Sequence, residues 1–334
     1  MVRALTLSAL LLALVGGLMA AGYGVALARR GLAEGDSDQQ PESVRLQVLY
    51  LALLGTVFLA GGCGEEAGST GGRATGVAPE DPGPIHVHGL GVNPSDRALF
   101  IATHTGLFRL ARDERKAKRV AGRYQDTMAF KVVGPDRFLG SGHPDAREGL
   151  PPFLGLIESR DAGESWKPIS LLGKADFHLL VSAGRHVYGF GSDWETREEQ
   201  LLLSRDGGRN WNRLRAPESL VGLAAKPNEP RLVIAAGQRG LWHSDDGGRR
   251  WTRLGGPTGL LGWPRATALF RVDPAGRVHR SRDEGRRWQA VGENGGEPGA
   301  FLAQTADELF VALHDGTIKH STDGGASWSV RSTP

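Results

Sequence analysis

The sequence contains a single cysteine, Cys63, in 334 residues, which excludes a disulfide framework and any metal site built from several thiolates. Neither sign of charge is in large excess, because the formal net charge is only +3. We therefore expect no nucleic-acid binding. Hydrophobic residues make up 40% of the chain, so it is neither disordered nor a polytopic membrane protein. Glycine, in contrast, is abundant at 49 residues, which favours many tight turns.

Two apolar stretches occupy the N-terminal part of the chain, at residues 4–28 and 46–60. The first is long enough to span a bilayer, which needs about 20 residues. The second follows Arg45 and has the length of a signal-peptide core. It ends in Leu59-Ala60-Gly61-Gly62-Cys63, a run that resembles a bacterial lipoprotein signal, in which the cysteine is lipidated and becomes the mature N-terminus.

A lipoprotein signal at residues 44–63 indicates that translation starts at Val44, with residues 1–43 as an over-extended start. The alternative is a genuine membrane-type extension at 1–43, either a signal anchor or a two-pass segment. Both readings export the rest of the chain, and residues 64–84 then form a flexible tether rich in Gly, Glu and Pro. We expect an exported monomer, either extracellular or held on the outer side of the cell membrane by a lipid or a helix.

An eight-residue motif, Ser-x-Asp-x-Gly-x-x-Trp, recurs five times between residues 159 and 328. Its acidic residues are Asp161, Asp206, Asp246, Asp283 and Asp323, at successive spacings of 45, 40, 37 and 40 residues. In such a turn the Asp side chain accepts hydrogen bonds from nearby N–H groups, and the Gly takes a positive φ. The Trp then packs against the neighbouring sheet. We therefore interpret these five aspartates as structural and not catalytic.

Four strand-like segments accompany each motif. In the fourth repeat they are Leu220–Ala225, Arg231–Ala236, Gly240–Ser244 and Arg250–Leu254. Residues 85–121 show the same pattern ahead of the first motif, with a degenerate motif around Asp113. Six units of about 42 residues over 85–334 predict an all-β, six-bladed propeller with four-stranded blades. We expect the ring to close by packing and not by an exchanged strand.

The candidate site lies on the face opposite the motif turns, where the loops into the inner strands and after the second strands open. Blades one to three are polar at these positions, whereas blades four to six are largely apolar. The starts of the inner strands carry His86, His88, Asp126, Met128, Asp176 and His178. The ends of the second strands carry His104, His143, Asp145 and Asp193.

Imidazoles beside carboxylates suit a transition metal such as Zn or Cu, with His86, His88 and His178 as candidate ligands and Met128 as a soft ligand. A second interpretation is a pocket for a glycan or another small polar ligand, bound by the histidines and Met128. A third is that the polar groups only cap strand ends. Glycoside hydrolysis would need two of these carboxylates, for which the candidates are Asp126, Asp145, Asp176 and Asp193.

Several motifs resemble those of bacterial Asp-box, or BNR-repeat, propeller lipoproteins described as glycosyl-hydrolase-like, related to sialidase- and sortilin-type propellers. Besides the five Asp-boxes they are His86-Val-His88-Gly-Leu-Gly-Val, Asp126-Thr-Met128, Gly140-Ser-Gly-His143-Pro-Asp145 and Asp176-Phe-His178. The resemblance implies an anchored or secreted propeller that acts on or binds a glycan. The Arg-Ile-Pro motif of sialidases is missing, and neither Tyr124 nor Tyr188 lies in a recognisable nucleophile pattern, so retaining sialidase activity is not expected. An enzyme, a metal-binding protein and a scaffold for an envelope protein remain the three hypotheses.

Overall fold

The computed structural model of the chain describes residue 81 and residues 83–334. The extension at 1–43, the signal at 44–63 with its lipidation site Cys63, and most of the tether at 64–84 lie outside the described residues. In the part that is described, no helix has the length and apolar character needed to cross a membrane.

The described residues form six four-stranded antiparallel sheets, each built from four strands consecutive in the chain, which together make a six-bladed β-propeller. The strands are β1 Val87–Val92, β2 Leu99–Thr103, β3 Gly106–Leu110, β4 Lys118–Arg119, β5 Asp126–Gly134, β6 Arg137–His143, β7 Leu156–Ser159, β8 Lys167–Ser170, β9 Ala175–Ala183, β10 His186–Asp193, β11 Glu199–Ser204, β12 Asn212–Leu214, β13 Leu220–Lys226, β14 Glu229–Gly237, β15 Gly240–Ser244, β16 Thr252–Gly255, β17 Leu260–Arg265, β18 Ala268–Val272, β19 Arg277–Ser281, β20 Gln289–Glu293, β21 Pro298–Ala303, β22 Leu309–Leu313, β23 Ile318–Ser321 and β24 Ser329–Ser332. The predicted fold class is confirmed.

The strand boundaries follow the sequence prediction closely, with one informative difference at the outer strands. In the fourth blade the outer strand begins at Thr252 and not at Arg250. Arg250 still belongs to the turn, because its N–H donates to Asp246 Oδ1 at 3.0 Å. The acidic residue of the motif therefore shortens the strand that follows it.

The ring closes between the last blade and the first without exchange of a strand, as predicted. Side chains of β1 and β21 share one buried cluster. On the outside, Arg331 Nη2 donates to the Ala111 carbonyl at 2.6 Å, and Ser332 Oγ donates to the Arg115 carbonyl at 2.9 Å. Packing and side-chain hydrogen bonds therefore hold the two ends of the propeller together.

The turns at the five Ser-x-Asp-x-Gly-x-x-Trp motifs share one hydrogen-bond pattern, seen for example in the third blade. Ser204 Oγ donates to Asp206 Oδ1 at 2.8 Å and accepts from the Gly208 N–H at 2.8 Å. Gly208 has a φ of 89°, a conformation that favours glycine. The Trp211 ring packs 5.2 Å from the Phe177 ring in the cluster between blades two and three. The equivalent aspartates Asp161, Asp246, Asp283 and Asp323 accept the same bond from their serines.

Apolar clusters between neighbouring blades form the core. Between blades one and two, the Phe138 ring lies 4.7 Å from that of Phe100 and 5.3 Å from that of Phe130, both edge to face. Such aromatic pairs add to the free energy gained by burying their surface. The result is a rigid ring of blades that fixes the positions of the inner strands.

Candidate functional site

A β-bulge lies near the start of the inner strands of blades one, two and three, and the unpaired residues are His88, Met128 and His178. In β1, for example, Val87 and Gly89 both pair with β2, whereas His88 between them does not. A bulge breaks the alternation of side chains along a strand and redirects the extra residue. His88, Met128 and His178 all line the central channel.

Glycines on the second strands make room for two of these bulges. A Cβ at Gly142 would collide with the carbonyl oxygen of Asp126, and a Cβ at Gly191 would collide with that of Asp176. Only glycine allows the backbones to approach so closely. The two glycines therefore fix where Asp126 and Asp176 enter their inner strands.

The first cluster of the site consists of His88, His104 and Asp126. His104 Nδ1 lies 2.9 Å from Asp126 Oδ2, and His88 Nε2 lies 3.8 Å from Asp126 Oδ1. One nitrogen or oxygen from each of the three residues lies within 4.8 Å of the others. His88 Nε2 and Asp126 Oδ1 are buried and have no hydrogen-bond partner among the described residues. The cluster therefore presents two polar atoms that nothing in the described fold satisfies.

Burial changes the protonation of this cluster. Burial, together with the neighbouring imidazoles of His104 and His178, lowers the pKa of His88 to about 4. Burial also raises the pKa of Asp126, and the nearby His104 offsets only part of this increase. At neutral pH the His88 imidazole is thus uncharged and has a lone pair available for a ligand.

A second cluster faces the same mouth and consists of Asp176, His143 and His178. Asp176 Oδ2 lies 3.0 Å from His178 Nε2 and 3.4 Å from His143 Nε2. The hydrogen bond to Asp176 raises the pKa of His178. His143 Nδ1 lies 2.8 Å from the Pro152 carbonyl, which can only accept, so Nδ1 carries the proton. Asp176 Oδ1 is buried without a hydrogen-bond partner in residues 83–334.

The other predicted site residues hold loops or lie apart from the two clusters. Asp145 accepts hydrogen bonds from Arg147 Nε and from the Tyr124 N–H, both at 2.9 Å, and the Arg147 side chain holds the pKa of Asp145 well below its usual range. Asp193 Oδ1 accepts hydrogen bonds from the backbone N–H groups of residues 195 and 196, and these bonds lower the pKa of Asp193. His86 precedes β1 with a φ of 51° and is exposed.

Two exposed aromatic rings near the mouth were not predicted as site residues. Tyr124, 51% exposed, precedes β5 and has the Arg119 guanidinium 4.0 Å above its ring. Trp194, 36% exposed, follows β10 and stacks with the Arg197 guanidinium at 3.9 Å. Their position beside predicted strand ends was the only signal in the sequence that marked them.

The six inner strands surround a channel with a cavity of about 420 Å³. This volume is within the range of small-molecule sites, roughly 300–1,000 Å³. His88, Met128 and His178 lie on its wall, and so does Lys131, which sequence reasoning passed over. Lys131 was detectable as the only charged residue in the run Met128–Val133 of the inner strand.

No known family model matches the chain. No curated protein matches it either. Among solved structures, a chain of a nidogen/laminin complex is similar with a TM-score of 0.53 at 14% identity, over 71% of this chain and 93% of that one. An ancestral GH74 enzyme gives a TM-score of 0.49 at 14% identity, over 72% of this chain and 37% of the enzyme. YCF48 bound to a D1 peptide gives 0.42 at 17% identity, over 63% of this chain and 69% of YCF48. At these identities the likeness shows the β-propeller fold alone.

Proposed function

We propose that this protein binds a divalent transition-metal ion, Zn²⁺ or Cu²⁺, at the mouth of the propeller through His88, His104 and Asp126. The observation that carries the proposal is the meeting of one ligand atom from each of these residues within 4.8 Å. Two of the available atoms, His88 Nε2 and Asp126 Oδ1, are buried and lack hydrogen-bond partners among the described residues. Two imidazoles and one carboxylate are a ligand set that suits both metals and leaves room for water or a further ligand.

The second cluster supports the same proposal through its charge. The Asp176 carboxylate contributes to the raised pKa of Asp126, so the two negative charges are close enough to repel each other. A divalent cation at the mouth would remove this repulsion. The bulged residues Met128 and His178 lie on the same channel and supply further donors of the right kind, a thioether and an imidazole.

The test is a calorimetric titration of the full chain, stripped with chelator, with Zn²⁺ and then with Cu²⁺. We expect binding close to one equivalent, and at least a roughly tenfold loss of affinity in His104→Ala and in Asp126→Asn. His314→Ala is the matched control, because His314 is a 63% exposed histidine at the end of the second strand of blade six. Equal affinity of the wild type and both site variants would contradict the proposal.

A second candidate function is binding and hydrolysis of a glycan at the same mouth. Asp126 favours it, because its raised pKa is what a general acid needs, while Asp176 offers a second buried carboxylate. The exposed rings of Tyr124 and Trp194 provide flat surfaces on which sugars could stack. A panel of fluorogenic glycosides would reveal this activity. Cleavage that survives both Asp126→Asn and Asp176→Asn would show that these carboxylates do not carry it.

We further propose that the chain belongs to the exported, glycosyl-hydrolase-like Asp-box lipoproteins and is anchored through Cys63. The support is the run Leu59–Cys63 together with five Asp-box turns of one geometry. Incorporation of labelled palmitate into the wild type in a bacterial host, and its loss in Cys63→Ser, would support anchoring. Equal labelling of both would rule out Cys63 as the lipidation site.

A further inference from the structure

The central channel contains a lysine that the metal proposal does not use. Lys131 lies on the inner strand β5, three residues beyond Met128, which is about 10 Å deeper at ~3.3 Å per residue. Its neighbours Phe130 and Val132 point towards Gly91 of the first blade. Side chains alternate along a strand, so Lys131 lies on the opposite face of β5, towards the third blade, at the wall of the channel.

The amine of Lys131 forms no ion pair within residues 83–334. The side chain is only partly exposed. Burial lowers the pKa of Lys131, and no nearby carboxylate offsets this effect. An unpaired ammonium group in such a place is costly unless an anion accompanies it.

The rest of the channel wall at this depth is largely apolar. It includes Leu261, Trp263, Phe301 and Leu302. Trp263 is 8% exposed, and its indole Nε1–H has no hydrogen-bond partner among the described residues. The channel therefore combines one charged donor without an ion-pair partner in residues 83–334, the amine of Lys131, with a largely apolar lining.

We propose that the central channel binds a small organic carboxylate with an apolar body, whose carboxylate pairs with Lys131 while its body packs against Trp263 and Phe301. The carboxylate accepts hydrogen bonds from the ammonium group, which removes the unpaired charge. The apolar body gains burial against the channel wall, at roughly 25 cal/mol per Å². This site lies below the metal cluster and uses none of its ligands.

The test compares two carboxylates, phenylacetate and hexanoate, with the neutral 2-phenylethanol, by calorimetric titration of the full chain. We expect both acids to bind with Kd values below about 1 mM and the alcohol to bind more weakly. Lys131→Met, which keeps a side chain of similar length without the charge, should weaken acid binding roughly ten- to hundred-fold. Lys131→Arg should retain most of it.

Lys167→Met is the matched control, because Lys167 is an exposed lysine on β8, and it should leave the affinity unchanged. His104→Ala removes a proposed metal ligand and should also leave acid binding unchanged, which separates this site from the metal site. The proposal is overturned if neither acid binds, if 2-phenylethanol binds as tightly as phenylacetate, or if Lys131→Met binds the acids like the wild type.

Discussion

Replacement of Lys131 by methionine should stabilise the protein at neutral pH, and the gain should shrink as the pH rises. The lysine lies in the channel without a charge partner in residues 83–334, and burial lowers its pKa. Between this lowered value and the ordinary value near 10.4, the unfolded chain binds one more proton than the folded one. The free energy of unfolding of the wild type therefore rises with pH in this window. Lys131→Met has no such dependence.

The size of the effect follows from proton linkage. One proton of difference changes the free energy of unfolding by at most about 1.4 kcal/mol per pH unit. The free energy of unfolding of Lys131→Met should thus exceed that of the wild type by about 1–3 kcal/mol at pH 7, and the gap should narrow as the pH rises through the lowered pKa of Lys131. Other titratable groups on the strands around Lys131 are common to both proteins and cancel in the difference: Asp126, His88, His143, Asp176 and His178.

The assay is urea unfolding followed by tryptophan fluorescence, at pH 7 and at about pH 10.5, just above the ordinary pKa of lysine, in a buffer free of carboxylates. A gap that stays constant between the two pH values would refute the assignment of the effect to the Lys131 charge. A variant less stable than the wild type at pH 7 would show that the amine has a partner which the described fold does not account for.

Three further substitutions, two of them with a control variant, test the fold by the same unfolding assay and the candidate site by metal titration. Ser204→Ala removes the acceptor of the buried Gly208 N–H and should cost about 1–3 kcal/mol. Phe138→Ala leaves a cavity at a fully buried position between two aromatic rings and should lower the free energy of unfolding by about 3–5 kcal/mol. Its control, Val330→Ala at an exposed position, should change that free energy by less than about 0.5 kcal/mol. Gly191→Ala should displace Asp176, reduce metal affinity and destabilise by about 1–3 kcal/mol, whereas Gly134→Ala, which has room for a Cβ, should do neither.

The fold could be predicted from the repeat motif because each copy of the motif specifies a complete local turn. The Ser, Asp and Gly of one motif bond to each other within a few residues, as in Ser204, Asp206 and Gly208. Such contacts depend only on the nearby sequence, so their spacing predicts the blades. The outer strand of blade one is short, Lys118–Arg119, where the degenerate motif around Asp113 replaces a complete one.

The composition of the site was also predictable, but its grouping was not. The grouping depends on bulges, which arise from the pairing of two strands. A bulge therefore cannot be recognised from the sequence of either strand alone. The bulge at His88, together with the positive φ of His86, separates two histidines that simple alternation would place on one side. The structure instead brings His88 to His104 and Asp126, and His178 to His143 and Asp176.

Lys131 illustrates a different limit of sequence reasoning. Lys131 lies within the inner strand β5. The sequence of that strand alone does not show that the other five blades surround this lysine. Only the closed ring turns the edge of that strand into a channel wall and gives the lysine the burial that lowers its pKa. Its significance is therefore a property of the whole propeller and not of the strand.

The metal content of the full chain tests most directly whether the mouth of the propeller holds a metal ion. The protein would be produced without affinity histidines, purified without chelator and analysed by inductively coupled plasma mass spectrometry. We expect close to one equivalent of Zn or Cu in the wild type and in His314→Ala, and its loss when His88→Ala and His104→Ala are combined. A metal-free wild type, or a double variant with the same metal content as the wild type, would contradict the proposed metal site.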